Sequence, residues 1–277
     1  MFIGQWAHAG LKFQGLSLSG VRTSIAMPEL SLCFDVAQGL PYAIPMKNFL
    51  ITHGHLDHAA GIPYIISQKG MLSHPPAHFY MPKSLVEPLE EIMKIWQKIE
   101  KHTYTYEFHG IEGDEELEVH HQHFVRPFKT VHRVDSFGYS VFRKFKKLNP
   151  KYENLKPGEI AGLRHQGIDP SIESEECLVS FTGDTQIEFL TQNEWPKKSK
   201  ILILESTYLD DSKSVEHART WGHTHFDEII PHLDKIESEK IVIIHTSSRY
   251  SMTEAQQLLA QRTPAEHRDR VVLFPGR

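Results

Sequence analysis

At 277 residues, 40% hydrophobic and 23% charged, the chain has the composition of an ordinary soluble globular protein, which excludes both a disordered chain and a disulfide-stapled secreted one. A formal charge of -5 argues against indiscriminate polyanion binding while leaving room for a local basic patch. Met1 to Trp6 show no basic leader, and no stretch approaches about eighteen consecutive apolar residues, so the sequence predicts a cytoplasmic protein with no membrane partner.

In chain order, Val21 to Ile25 and Leu30 to Phe34 read as two strands joined around Pro28-Glu29, with Asp35 closing the second. A short buried strand, Asn48 to Thr52, runs straight into His53-Gly54-His55-Leu56-Asp57-His58. Residues Gly61 to Gln68 suit a short helix and Ala77 to Tyr80 another strand. Ser84 and Glu87 form a capping-box pattern ahead of Leu85, Leu89, Ile92, Met93, Trp96 and Ile99, whose helical spacing predicts a stripe packed into the core. Glu116 to Phe145 reads as strand-rich with interruptions at Pro127 and Gly138, and 146–176, rich in Pro and Gly, as a long irregular excursion within a single 1–277 domain. Strands at Leu178–Thr182, Ile201–Leu204 and Ile241–Ile244 then alternate with helices at Phe226–Ile236 and Met252–Gln261, the mark of an α/β layered fold. No internal repeat stands out, and Cys33 and Cys177, in apolar contexts far apart, read as buried free thiols.

The chemistry gathers at His53 to His58, where four potential metal ligands fall within six residues. Gly54 lets the backbone turn while His53 and His55 point the same way, and imidazoles mixed with a carboxylate suit zinc better than magnesium or calcium. Further ligand types stand at the exits of apolar strands: His132 after Val131, Asp184 after Phe181-Thr182-Gly183, Glu205 after Leu204, and His245 after Ile244. Any one alone reads as a polar strand terminus. Together they suit convergence on a crevice at the carboxyl ends of strands. His120, His121 and His123 are split between strand faces and read as a solvated strand; His165 and His225 lack partners in sequence.

His53-x-His55-x-Asp57-His58 resembles the signature of the metallo-β-lactamase superfamily. The run His132-Arg133-Val134-Asp135-Ser136-Phe137-Gly138-Tyr139, with Gly183-Asp184-Thr185, Glu205-Ser206-Thr207, Gly222-His223-Thr224 and His245-Thr246-Ser247-Ser248-Arg249-Tyr250, is similar to its ribonuclease Z branch, which matures transfer RNA 3′ ends. The resemblance implies a four-layer αββα sandwich with two divalent metal ions at one edge. His53, His55 and His132 would hold one ion, Asp57, His58 and His245 the other, and Asp184 would bridge them. Zinc is the expected metal, with manganese or iron able to occupy similar nitrogen and oxygen sites. It further implies a zinc-dependent phosphodiesterase in which a metal-bridging hydroxide attacks phosphorus, Asp57 orients it or accepts its proton, His223 protonates the departing ribose oxygen, and Glu205 keeps His223 charged. A helix beginning near Phe226 would also offer free amides to the phosphate. The competing reading makes His223 a helix cap and Glu205 a surface charge. Asp35 matches the family's strand-ending aspartate imperfectly and is expected behind the ligands.

RNA, in particular a transfer RNA precursor, is the expected partner. Family members that grip it project an arm ahead of the bridging aspartate; here that segment holds Lys156-Pro157-Gly158 and Gly167-Ile168-Asp169-Pro170 but no Gly-Pro-Leu tip, so a homodimer could supply part of the grip. The run Arg143, Lys144, Lys146, Lys147 and Lys151, interleaved with Phe142, Phe145 and Tyr152, suits either RNA or a solvated edge that discourages strand pairing. Alternatives are a hydrolase of the same fold acting on a lactone, thioester, lactam or small phosphodiester, and a metal-bound RNA-binding scaffold without turnover. Glu205 and His223 favour phosphodiester cleavage.

Overall fold

The computed structural model describes residues 2–276, so Met1 and Arg277, the ends of the expected domain, lie outside it. The first sheet contains β1 (Gly4–His8), β2 (Leu11–Leu18), β3 (Arg22–Met27), β4 (Leu32–Phe34), β5 (Asn48–Leu50), β6 (Ala77–Pro82) and β7 (Tyr106–Ile111), side by side in chain order. The second contains β8 (Leu117–His120), β9 (His123–Lys129), β10 (Phe137–Leu148), β11 (Ser171–Phe181), β12 (Ile201–Glu205), β13 (Lys240–Ile244) and β14 (Val271–Leu273), again with chain neighbours adjacent. In both sheets the first four strands pair antiparallel and the rest parallel. The two halves therefore share a topology that no sequence repeat announces.

The parallel strands are the continuous apolar runs. β5, β12 and nearly all of β13 are buried along their length because each sheet is covered on both faces. Between the sheets lies a core including Phe34, Leu50, Tyr139, Phe181 and Ile203, with the Phe34 and Phe181 rings stacked 4.7 Å apart. On the outer face of the first sheet pack α1 (Leu56–Ala59), α2 (Ile62–Met71) and α3 (Val86–Glu100), around Phe49, Ile65, Phe79 and Met93. α4 (Pro157–His165) stands apart, while α5 (Phe189–Gln192), α6 (Trp195–Lys198), α7 (Val215–Thr220), α8 (Phe226–Ile229) and α9 (Met252–Arg262) belong to the second half, where Phe189, Leu204, Phe226 and Leu259 form the outer core. The result is the expected αββα sandwich.

Several expectations are corrected. Ser84 does not cap α3: it lies in a 3₁₀ turn, and its hydroxyl donates to Asp135 at 2.9 Å. The α3 stripe is divided, with Met93 fully buried but Ile92, Trp96 and Ile99 41%, 43% and 61% exposed. Pro127 and Gly138 interrupt nothing. They sit inside paired β9 and β10, Pro127 on a stretch beyond the start of β8 where β9 has a single neighbour. Residue 138 must be glycine because a Cβ there would come within 2.2 Å of the Phe128 ring. The 146–176 excursion is ordered: β10 and β11 continue as a two-stranded ribbon, Leu148 facing Ser171, with α4 in its tip. The expected Phe226–Ile236 helix breaks after one turn at Pro231, which cannot donate and crowds the preceding turn, so 3₁₀ geometry runs over Ile230–Lys235.

Candidate active site

The carboxyl end of β5 is pinned from both sheets. Thr52 donates its backbone N–H (2.8 Å) and its hydroxyl (2.9 Å) to the buried Asp35 carboxylate, the Tyr139 hydroxyl donates to the Ile51 carbonyl at 2.7 Å, and the Phe137 N–H donates to the Thr52 carbonyl at 3.0 Å. His53 leaves this anchored point, and α1 then presents Asp57 and His58 one turn later. The carboxyl ends of β9, β11, β12 and β13, with the first residues that follow them, bring His132, Asp184, Glu205 and His245 to the same edge.

The donor atoms fall into two overlapping sets, each within 4.8 Å. In one, His53 Nε2 lies 3.0 Å from His55 Nδ1, His132 Nε2 lies 3.3 Å from His55 Nδ1, and Asp184 Oδ2 is 3.8 Å from His53 Nε2. In the other, Asp184 Oδ1 is 3.3 Å from His58 Nε2 and 3.4 Å from His245 Nε2, while Asp57 Oδ2 is 3.6 and 3.5 Å from the same two nitrogens. Asp184 thus belongs to both sets, one oxygen to each.

On four of the five rings the far side fixes the tautomer, while His55 turns its Nδ1 inward. The Nδ1–H of His58 donates to Asp35 at 2.7 Å and that of His132 to the Gly222 carbonyl at 2.8 Å. Those of His53 and His245 point to the hydroxyls of Thr52 (3.0 Å) and Thr207 (3.3 Å), which in turn donate to Asp35 and Glu205. Each Nε2 lone pair is left facing inward. Nε2 of His58, Nε2 of His245 and Oδ1 of Asp184 are buried without hydrogen-bond partners. An orphaned buried acceptor costs about 1–3 kcal/mol, so three converging on one volume suit a cation there. Burial holds His53, His55 and His132 below the usual imidazole range, as neutral ligands must be. Burial would lower His58 too, but the Asp184 and Asp35 carboxylates override it and raise His58 well above that range when no cation is present.

Beside these sets stands a second arrangement. Glu205, fully buried at the end of β12, accepts from His223 Nδ1 at 3.0 Å, from the N–H groups of Thr185 (3.0 Å) and Thr224 (3.2 Å), and from both N–H and hydroxyl of Thr207 (3.1 Å each). Burial pulls His223 down, yet the Glu205 and Asp184 carboxylates raise it to about 9. Its Nδ1 is 3.9 Å from Asp184 Oδ2, and its ring centroid lies 5.4 and 5.2 Å from those of His132 and His245. The competing reading of this pair fails. The cap of α8 is His225, whose Nδ1 accepts from the Asp227 N–H at 3.1 Å while Glu228 accepts from its own N–H. That reciprocal capping also withdraws the amides expected to meet a phosphate.

Of the basic run, Arg143 pairs with Glu176, Lys144 with Glu116 and Lys146 with Asp169, which favours the solvated edge. His120 and His123 flank the β8–β9 turn, and His165 ends α4. Cys33 and Cys177 are buried and free. Sequence reasoning missed Thr52, Thr207 and the Gly222 carbonyl, although each adjoins a motif residue. Gly222 itself is required: it adopts φ +80°, and a Cβ there would reach within 2.7 Å of His132 Nδ1.

Three comparisons bear on this site. The family model for the β-lactamase superfamily domain matches residues 43–246. The chain is 35% identical over 257 residues to tRNase Z TRZ1 of Arabidopsis thaliana, covering 92% of each chain, and 34% identical over 246 residues to the chloroplastic tRNase Z TRZ2 of the same plant, covering 88% of this chain and 70% of that one. Among solved structures, the short form of human tRNase Z superposes with a TM-score of 0.58 at 17% identity, over 90% of this chain and 94% of that one.

Proposed function

The chain belongs to the β-lactamase superfamily, in its tRNase Z (ribonuclease Z) branch, and from that premise we propose that it cleaves a phosphodiester of precursor transfer RNA at the site just described. It is a metal-dependent hydrolase of the endoribonuclease type. The observation that carries the choice of chemistry is the His223–Glu205 pair, 3.0 Å apart and beside Asp184. An alkoxide leaving group needs a proton donor, and this is a histidine held charged at neutral pH.

Two divalent ions, zinc first on the evidence of five imidazoles and two carboxylates, would be held by His53, His55, His132 and Asp184 and by Asp57, His58, His245 and Asp184. When bound they supply Lewis acidity toward phosphoryl oxygens and a water ionised near neutral pH. The chain's residues do the rest. Asp57, the more open of the two carboxylates, orients the attacking water and takes its proton. His223 gives its proton to the departing ribose oxygen, and Glu205 keeps that proton on His223 until then. Thr185, Thr207 and Thr224 hold Glu205 in place.

We also infer a homodimer. Ile95, Ile99 and Trp96 of α3 and Tyr64 and Met71 of α2 are exposed, and Tyr64, Met71 and Trp96 line one groove between the helices. Exposed apolar side chains gathered on neighbouring helices suit a self-complementary contact. The test of function is cleavage of a 3′-extended precursor transfer RNA. Cutting should be lost on chelation and restored by zinc, and cleavage of a chromogenic diester without any cut in the RNA would reject the RNA substrate.

A further inference from the structure

Among the described residues, one further group of three potential metal ligands lies outside the active site: His78, Glu107 and His109. The pairing of β6 with β7 builds it. In that parallel register His78 stands beside Glu107 and Tyr80 beside His109, so all four share one face, opposite to Phe79, which is buried in the outer core. Glu107 Oε2 is 3.2 Å from His78 Nδ1 and 3.4 Å from His109 Nε2, and the two nitrogens are 3.3 Å apart. The His109 ring is stacked on Tyr80 at 4.6 Å, which limits its freedom.

These distances suit a metal triangle better than proton-sharing with Glu107, while the His78 Nδ1–His109 Nε2 edge is also a long hydrogen bond. Imidazoles that merely shared a proton with a carboxylate would close to about 2.7–2.9 Å, the length of charge-assisted hydrogen bonds. A tetrahedron with metal–nitrogen bonds of about 2.0–2.1 Å has edges of about 3.3–3.4 Å. The triangle found here, with sides of 3.2, 3.4 and 3.3 Å, is close to those edges.

We propose that His78, Glu107 and His109 form a third metal site, taking a borderline divalent cation with zinc preferred, and leaving one position for water. The ligands come from adjacent strands, one of them the edge strand β7, so the ion ties that edge to the body of the sheet. The side chains are 23%, 53% and 37% exposed, open enough for the ion to enter and leave.

The experiment counts zinc per chain by elemental analysis after equilibration with zinc and removal of the excess. His109→Gln and His78→Gln should each hold one equivalent fewer than wild type while cleaving a chromogenic phosphodiester at the wild-type rate. A variant with His120, His121 and His123 all changed to Ala should keep the full count. In an Asp184→Ala background, where the active-site ions are lost, this equivalent should persist, which separates the proposal from the reading of the active site. An unchanged count in His109→Gln, or loss of the equivalent in the triple variant, overturns it.

Discussion

His223 is the residue on which the chemistry turns, and its two neighbours make it testable. Its protonated form is present below about 9 and is lost as pH rises through that value. We therefore expect His223→Ala to lower kcat about 10²–10⁴-fold while leaving metal content unchanged. Glu205→Gln removes the carboxylate that raises the imidazole, so the alkaline limb of its kcat profile should move to lower pH; a limb unmoved from wild type would contradict the assigned role. Asp184 gives one oxygen to each ligand set, and Asp184→Ala should accordingly lose both ions where His132→Ala loses one, as elemental analysis would read. Most of these residues were legible in the sequence because each ligand type follows an apolar strand, and a strand's end is where a stiff scaffold points side chains into a crevice. Thr52, Thr207 and the Gly222 carbonyl were not. Hydroxyls and carbonyls become partners only once distant segments meet, as when Gly222 comes up behind His132.

At the scale of elements, the parallel strands were the easiest to read, since burial on both faces leaves runs such as Ile201 to Leu204 with no polar interruption. The errors arose where a local signal met a tertiary one. Pro127 and Gly138 signal breaks in isolation, but one occupies a strand position with a single neighbour and the other makes room for Phe128. Gly138→Ala should therefore destabilise the protein by about 1–3 kcal/mol in denaturant unfolding, without altering the rate per folded molecule. The ribbon tip was hidden for a different reason. It is exposed on both faces, so it carries neither strand alternation nor an apolar stripe, and its order comes from Leu148–Ser171 pairing and ion pairs such as Lys146–Asp169. Excising the tip, residues 150–169, should leave cleavage of a small diester intact, because no ligand or proton donor lies within it; comparing that rate with wild type checks the point.

At the scale of the whole molecule, two seven-stranded halves of like topology face each other, and the site occupies one edge where both halves deliver ligands: His53, His55, Asp57 and His58 from the first, His132, Asp184 and His245 from the second, which also supplies the Glu205–His223 pair. Neither half alone completes either ligand set. The helical face on the outside of the first half carries the exposed Ile95 and Ile99, and replacing both with Glu should convert a dimer to a monomer in sedimentation velocity. The central claim, that this edge cleaves the phosphodiester of a transfer RNA precursor, is tested most directly by offering metal-loaded protein three substrates in parallel: a 3′-extended precursor transfer RNA, a chromogenic phosphodiester, and a lactone or lactam. Removal of the RNA's 3′ extension, lost in His223→Ala, is the predicted result; hydrolysis confined to the lactone or lactam would contradict it.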